Sequence, residues 1–340
     1  DVCGTRGWVE RNKISIRKNL TVFWRRKRKI KMKEWKVSSA SIEEAIGGKS
    51  ITQTDVEVNC AAIVSMPRDN SIMFVMSQRF NCEVVNLLVN IKNSLIIIEP
   101  SIEKYFLEIA LKNHVVVSSN ARLYFAKAIS YILACNMEKR KYEEHQMGIV
   151  VGENVRIKSN CLIEPNVFID HDVEIGENVV LKTGVKIRQN VCIGNNVVIG
   201  ENSVIGAQGF GVERDDDGRN VRIPHIGGVI IGDNVEIGAL TSIVSGTIAP
   251  TIIEESCFID DLNHIAHNCS LHRGTMTTGC VEISGSASIG EYGYIAPNST
   301  IRDGVHVGKN CFVGQATSVQ KSFGDDVSLV GSPAKEFTRK

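Results

Sequence analysis

The chain of 340 residues contains no CxxC pair, and its 10 cysteines show no regular spacing. This pattern does not indicate a disulfide framework, so residues such as Cys161 and Cys311 are predicted to be small buried hydrophobes in a reducing cytoplasm. Aromatic residues make up only 6% of the chain, and the formal net charge is +1. That balance favours neither a nucleic-acid partner nor an acidic tail. No apolar run approaches the roughly 18 to 20 residues of a membrane span.

A six-residue period dominates the second half of the chain. From Val151 to Ile205 every sixth residue is aliphatic, and the same frame returns in 231–243 and, with one Thr, in 259–319. This period fits neither an amphipathic helix nor an alternating strand, but it is typical of a repeat architecture. Gly, Asn and Asp follow the aliphatic positions and tolerate tight turns. We therefore predict a hexapeptide-repeat β-solenoid, in which residues about 18 positions apart lie above one another at the strand spacing of a sheet.

Composition divides the rest of the chain. Residues 1–31 form a basic leader that we interpret as disordered or non-native upstream sequence before Met32. Residues 32–120 alternate short apolar runs with short helical segments, which predicts a small α/β domain. A connecting helix is expected over 121–148 and the β-helix over 149–322. A polar loop at 207–228 interrupts it, with a length typical of functional loops. Residues 323–340 are expected to cap the last coil.

The segment FIDDLNHIAHN (258–268) concentrates polar side chains that the other coils lack. One coil after His267 the chain carries Gly285. An imidazole can act as a general base at neutral pH, and a glycine amide one layer away can stabilise the oxyanion of a tetrahedral intermediate. His267 and Gly285 are therefore candidates for the base and the oxyanion donor of an acyl-transfer site.

Four neighbours are candidates to orient the imidazole. They are Asp260, Asp261, Asn268 and His264. The sequence leaves open which of them, if any, does so.

Several segments together resemble one family of acyltransferases. IGDNVEIGA (231–239), FIDDLNHIAHN, ISGSASIG (283–290) and VGSPAK (330–335) are similar to segments of the UDP-3-O-acylglucosamine N-acyltransferases of lipid A synthesis. The N-terminal segments SIMFVMSQRF (71–80) and HVVVSSNARLYFAKAI (114–129) look like the uridine-binding domain of that family. The most specific part of the resemblance is a GFG loop (209–211) followed by the IAHN element.

The resemblance implies an all-β, left-handed parallel β-helix with a small N-terminal α/β domain. It also implies a homotrimer with active sites between neighbouring subunits. Such an enzyme moves an acyl group from an acyl carrier protein or CoA thioester to the amine of a UDP-linked amino sugar, in the cytoplasm and without a bound cofactor. In this family His267 would be the base and the Gly285 amide the oxyanion donor.

The resemblance further implies a set of substrate-binding residues. Phe74 and Phe80 fall where the family places aromatic rings against uracil, with Ser77 beside them. Both rings are equally consistent with the core of a small domain. Phe210 and Gly211 of the GFG loop are expected to contact substrate.

Two departures from the family leave the acceptor sugar open. The chain has SIVSG (242–246) where the family often carries TIDRG, and a second family histidine would fall at Gly304. An amino-sugar N-acetyltransferase that uses acetyl-CoA in O-antigen synthesis is therefore a second hypothesis.

A more remote hypothesis is a zinc-dependent carbonic anhydrase-like β-helix. It rests on the spacing of His267 and His272, but a third protein ligand is required. Such enzymes place it roughly two coils upstream, which is near Ile231 in this chain, and the histidine nearest to that position is His225 in the loop. No metal is therefore expected.

Overall fold

The computed structural model describes residues 35–52, 54–136 and 141–337. The predicted basic leader (1–31) and the last three residues of the predicted cap lie outside the described residues. In the described ranges, no helix is long and apolar enough to cross a membrane.

The N-terminal part is a five-stranded sheet packed between helices. Its central strands are largely apolar, and all four residues of Leu95–Ile98 are buried, as expected for parallel strands covered on both sides. In spatial order the strands are Lys49–Ser50, His114–Val117, Leu95–Ile98, Ser71–Val75 and Cys60–Ala61. The first pairs antiparallel and the others parallel. Val37–Ser38 and Glu57–Val58 form a separate antiparallel pair.

Within the described ranges three α-helices accompany this sheet: α1 (Ser39–Ile46), α2 (Cys82–Leu88) and α3 (Ala121–Cys135). Each begins after a Ser or Asn whose side chain accepts a hydrogen bond from the first turn, which is the usual N-cap. Short 3₁₀ helices occupy Ser77–Arg79, Pro100–Tyr105, Ile109–Leu111 and, at the entry to the β-helix, Gln146–Gly148.

The connecting helix is shorter than predicted. The sequence suggests a helix over 121–148, but α3 ends at Cys135, and Tyr142–Glu144 pair antiparallel with Val150–Gly152. The first coil of a solenoid has an open edge of backbone donors and acceptors. Tyr142–Glu144 is charged and has no apolar face, so its helical preference is weak. Pairing with the open edge is therefore more favourable for this segment than extending the helix.

The rest of the described chain is a left-handed parallel β-helix with three flat faces, which confirms the predicted fold class. Face 1 consists of Tyr142–Glu144, Val150–Gly152, Phe168–Ile169, Lys186–Ile187, Val204–Ala207, Ser242–Val244, His264–Ile265, Glu282–Ile283, Thr300–Ile301 and Ser318–Val319. Face 2 consists of Arg156–Ile157, Glu174–Ile175, Val191–Ile193, Val229–Ile231, Thr251–Ile253, Ser270–Leu271, Ser288–Ile289 and His306–Val307. Face 3 consists of Leu162–Ile163, Val180–Leu181, Val198–Ile199, Glu236–Ile237, Phe258–Ile259, Met276–Thr277, Tyr294–Ile295, Phe312–Val313, Ser328–Val330 and Lys335–Phe337.

The predicted stacking holds along the helix. Ile265 pairs with Ile283, and Ile283 with Ile301, so that the inward aliphatic residues form one continuous buried core. Burial of such side chains stabilises each coil through its neighbours.

In the described residues two insertions interrupt the frame, and both fall in the turns between face 1 and face 2, which we call corner 1. The loop at 207–228 contains the antiparallel strands Val212–Arg214 and Asn220–Arg222. The segment 247–250 is a shorter insertion, because Ile243 pairs with Ile265 rather than with a residue one regular coil away. Ile226 of the loop and Ile248 of the insertion pack with α3 and the N-terminal sheet. Corner 1 thus contacts the N-terminal part.

Candidate active site

His267 lies at corner 1, immediately after the face 1 strand His264–Ile265, and is half-buried. Its Nδ1 is 3.1 Å from the side-chain oxygen of Asn268. A carboxamide oxygen only accepts hydrogen bonds, so Nδ1 carries the proton and donates it to Asn268. The lone pair of Nε2 is therefore left for a substrate, as a general base requires.

Asn268 is held in place by the short insertion. Its Oδ1 accepts hydrogen bonds from the Thr247 N–H at 3.2 Å and the Thr247 hydroxyl at 2.9 Å. Its Nδ2 donates to the carbonyl oxygen of Ala249 at 3.0 Å, and its backbone N–H donates to the Thr251 hydroxyl at 2.9 Å. The insertion therefore fixes the orientation of Asn268 and, through it, the imidazole of His267.

Gly285 lies directly beside the His267 ring, one coil further along. A Cβ added to Gly285 would stand 2.6 Å from His267 Cε1 and 2.7 Å from Nε2, so no larger residue fits. Within the described part of the chain, no atom accepts a hydrogen bond from the Gly285 N–H. By contrast, the Ala239 amide in a comparable turn donates to Asp261 Oδ1 at 2.6 Å. The Gly285 amide is thus available to a ligand next to the base.

The structure adds a second imidazole to this site. The His225 ring is buried, and its centroid lies 5.0 Å from that of His267 at an interplanar angle of 60°. Its Nδ1 donates to the carbonyl oxygen of Ile223 at 2.9 Å, and Gln208 holds its backbone N–H and carbonyl group. The sequence alone does not predict a role for His225, which stands out only as the histidine nearest to the position of a third zinc ligand. Its position as the one histidine of the long loop 207–228 is the signal that could have identified it.

Burial, aided by the neighbouring His267, lowers the pKa of His225 to about 4 from an ordinary 6.5. His225 is therefore neutral in the folded protein above about pH 5, whereas in the unfolded chain it binds a proton below about pH 6.5. The stability that follows from this difference is complete above pH 6.5 and is lost as the pH falls towards 4.

As the pH is lowered from 7 to 4, the lowered pKa of His225 alone is expected to decrease the free energy of unfolding by up to about 3 kcal/mol. Urea unfolding of the wild type and of His225→Gln at several pH values measures the effect. The variant is expected to be less stable at pH 7 but to lose less stability on acidification. An identical pH dependence in both proteins would contradict the assignment.

The GFG loop packs on His225. A Cβ added to Gly209 would stand 2.4 Å from His225 Nε2, and one on Gly211 would stand 3.0 Å from its Cε1. Phe210, between the two glycines, is 83% exposed, and the Arg222 guanidinium lies 5.4 Å from its ring centroid. Contact of Phe210 and Gly211 with substrate stays a prediction. Of the two, Phe210 has the exposed side chain.

The hairpin of the same loop is joined to α3. The carboxylate of Glu213 forms an ion pair with Arg122 at 2.9 Å and accepts a hydrogen bond from Asn120 at 3.4 Å. Asn120 is also the N-cap of α3. The N-terminal part therefore contacts the loop that covers His225.

The two aspartates considered as orienting residues lie elsewhere. Asp260 and Asp261 occupy the turn between face 3 and face 1, where Asp260 Oδ1 accepts the Asp261 N–H at 2.8 Å. Both line a groove of about 360 Å³ on face 3, together with Phe258, Met276 and Tyr294. This turn comes before the face 1 strand and the turn of His267 comes after it, so the two aspartates lie at a different corner from the imidazole. Of the four candidates, Asn268 is the one that bonds to the imidazole.

His264 points outward from face 1 and is exposed. The other histidine of the zinc hypothesis, His272, lies in the turn between face 2 and face 3, where its Nδ1 is 3.1 Å from Glu254 Oε1. His267 and His272 therefore belong to different corners. No group of three or more His, Cys, Asp or Glu side chains in the described ranges is arranged to hold a metal ion.

The two aromatic candidates of the N-terminal part pack in different clusters. The Phe74 ring lies 4.9 Å from that of Phe125 in α3, whereas the Phe80 ring lies 5.0 Å from that of Tyr105. Ser77, between them in sequence, donates its backbone N–H to Glu99 Oε2 at 2.9 Å. Both rings are only partly buried, so contact with a base stays a prediction for either.

Comparison with known proteins supports the resemblance to hexapeptide-repeat acyltransferases. The family model described as bacterial transferase hexapeptide (six repeats) matches residues 154–189 and 172–207. A UDP-3-O-acylglucosamine N-acyltransferase of Herminiimonas arsenicoxydans is 40% identical over 117 residues, which is 33% of each chain. UDP-3-O-acylglucosamine N-acyltransferase 2 of Legionella pneumophila (strain Lens) is 45% identical over 87 residues, 26% of this chain and 25% of its own.

A solved UDP-N-acetylglucosamine acyltransferase from Francisella novicida superimposes with a TM-score of 0.52 at 27% identity, covering 57% of this chain and 68% of its own. These similarities confirm the resemblance noted from the motifs. The chain matches between a quarter and about a third of the length of these curated relatives.

Proposed function

We propose that this chain is an N-acyltransferase that moves an acyl group from an acyl carrier protein or CoA thioester to the amine of a UDP-linked amino sugar. The names of its curated relatives support this reaction, and lipid A or surface polysaccharide synthesis in the cytoplasm would be its setting. One observation carries the proposal: no described residue forms a hydrogen bond with Nε2 of His267 or with the N–H of Gly285, and the position of a Cβ on Gly285 lies 2.7 Å from that Nε2.

The reaction follows from these two groups. The sugar amine attacks the thioester carbonyl carbon and a C–N bond forms, while Nε2 of His267 accepts a proton from the nitrogen. The Gly285 N–H donates to the oxygen that becomes negatively charged. When the intermediate collapses, the C–S bond breaks and the thiolate takes the proton back from His267. Amide and free thiol leave with the base restored.

A homotrimer with sites between subunits accords with the surface of face 3. Phe258 is 49% exposed and Met276 42%, and the Tyr294 and Phe312 rings stack above them at 5.5 Å. An extended apolar ladder of this kind is unfavourable in water unless a partner covers it. The α/β part would hold the uridine, with Phe74, Ser77 and Phe80 as its candidate contacts.

The test is an acyl-transfer assay of the purified full chain. Acyl-CoA or the acyl thioester of acyl carrier protein is supplied with UDP-3-O-acylglucosamine or with UDP-linked 3-amino and 4-amino sugars, and products are identified by mass. An amide-linked product with at least one acceptor is expected. Transfer to none of these amines, or formation of esters only, would contradict the proposal.

A further inference from the structure

Asp303 is a further residue at corner 1 that reaches the proposed site. The position that a Cβ would take on Gly285 lies 2.7 Å from His267 Nε2 and 2.9 Å from Asp303 Oδ1. A basic nitrogen and a carboxylate oxygen therefore border the same small space. Asp303 belongs to the turn one coil beyond Gly285, whose carbonyl oxygen accepts the Gly304 N–H at 2.9 Å.

The Asp303 carboxylate is not engaged in the turn, unlike comparable aspartates. Asp325 Oδ1 accepts the Lys309 N–H at 2.9 Å, and Asp233 Oδ1 accepts the Asn195 N–H at 2.7 Å. Asp303 is exposed, and among the described residues none forms a hydrogen bond or ion pair with its carboxylate. Its side chain is thus free to receive a hydrogen-bond donor beside the base.

An amine and a hydroxyl differ in the number of hydrogens on the attacking atom, and therefore in the number of acceptors that each can use. An attacking primary amine carries two N–H bonds: one proton passes to His267, and the other stays on the nitrogen as the amide N–H of the product. A hydroxyl has one O–H, and once His267 takes that proton, only lone pairs face the carboxylate. We propose that Asp303 accepts the second N–H of the acceptor amine and thereby selects amine over hydroxyl acceptors, an inference that rests on the proposed function.

Charge favours the same selection. When an amine attacks a carbonyl group, the nitrogen of the first intermediate is positively charged until its proton leaves. A carboxylate beside that nitrogen stabilises it, and hydrogen bonds to charged groups are stronger than neutral ones. Asp303 gains and loses no proton in this sequence, so the balance of the transfer is unchanged.

The experiment compares the wild type with Asp303→Ala and Asp303→Asn in the full chain. The probes are acyl-CoA with the UDP-amino sugar that the wild type uses, and with the UDP-sugar that has a hydroxyl in place of the amine. Hydrolysis of acyl-CoA without acceptor is measured alongside. Asp325→Asn is the matched control, because its amide oxygen can still accept the Lys309 N–H.

Asp303→Ala is expected to lower kcat/KM for the amine about 10- to 100-fold, mostly in kcat. Hydroxyl transfer and acyl-CoA hydrolysis should stay within about twofold of the wild type. Asp303→Asn, which keeps a neutral acceptor, should fall between the two, and Asp325→Asn should behave as wild type. An unchanged amine rate, or an equal loss in all three reactions, would overturn the role of Asp303. A wild type that acylates no amine would instead contradict the proposed function itself.

Discussion

Replacement of His267 by alanine is expected to lower kcat by about 10² to 10⁴, the usual contribution of a positioned general base. Among the described residues, His267 is the imidazole that lies against Gly285, so we expect no neighbour to replace it. His225 is close, but its ring is buried. The acceptor KM should change little, because His267 acts on the proton that moves during attack.

The measurement is steady-state acyl transfer by folded His267→Ala, with melting temperature and oligomeric state as checks on folding. His145→Ala is a suitable control, since His145 lies near the first coil with 46% of its side chain exposed. A His267→Ala protein with the wild-type kcat would eliminate this residue as the base. Loss of activity in both variants would point to an indirect effect.

Gly285→Ala is expected to reduce kcat by about 10² or more. The new methyl group would meet His267 Cε1 at 2.6 Å and Asp303 Oδ1 at 2.9 Å, well inside van der Waals contact. It would displace the base and fill the space that the reacting carbonyl needs, and loss of a single oxyanion donor costs about 10² to 10³ in kcat. The backbone of Gly285 is outside the left-handed region, so alanine itself introduces no conformational strain.

Gly279→Ala provides the matched control. Gly279 lies in the turn between face 3 and face 1 of the preceding coil, and the nearest atom to an added Cβ is 3.7 Å away. This variant should retain wild-type kcat and stability. Should Gly285→Ala remain as active as Gly279→Ala, the oxyanion site would have to lie elsewhere.

The regular part of the site was predictable because the repeat fixes which residues stack. Counting one coil from His267 gives Gly285, and the structure brings the two within contact. The same count applied once more gives Asp303. The position of a residue within its coil also excludes Asp260 and Asp261: they follow Ile259 of face 3 and therefore occupy a different corner from His267.

The irregular part was not predictable in this way. His225 reaches His267 from a loop without the six-residue frame, and its position depends on contacts with Gln208 and the carbonyl oxygen of Ile223. The role of Asn268 depends on the insertion that holds it. Neither contact follows from a period, because both arise where the period is broken.

The N-terminal part shows a different limit. Apolar runs and N-cap residues indicate its strands and helices, but they do not determine on which side of the sheet a ring lies. Phe74 packs towards α3 and Phe80 towards Tyr105. Sequence proximity alone therefore does not make them a pair.

Both insertions enter at corner 1, whereas the other two edges of the prism keep their spacing in the described coils. A coil bonds only to the coils above and below it, so extra residues can leave through one edge without shifting the strands beyond. New substrate preferences can thus arise when the loop at that edge is exchanged. The stacked coils still hold His267, Gly285 and Asp303 one coil apart from each other. Grafting the 207–228 excursion of one such protein onto another is a practical route to altered acceptor choice.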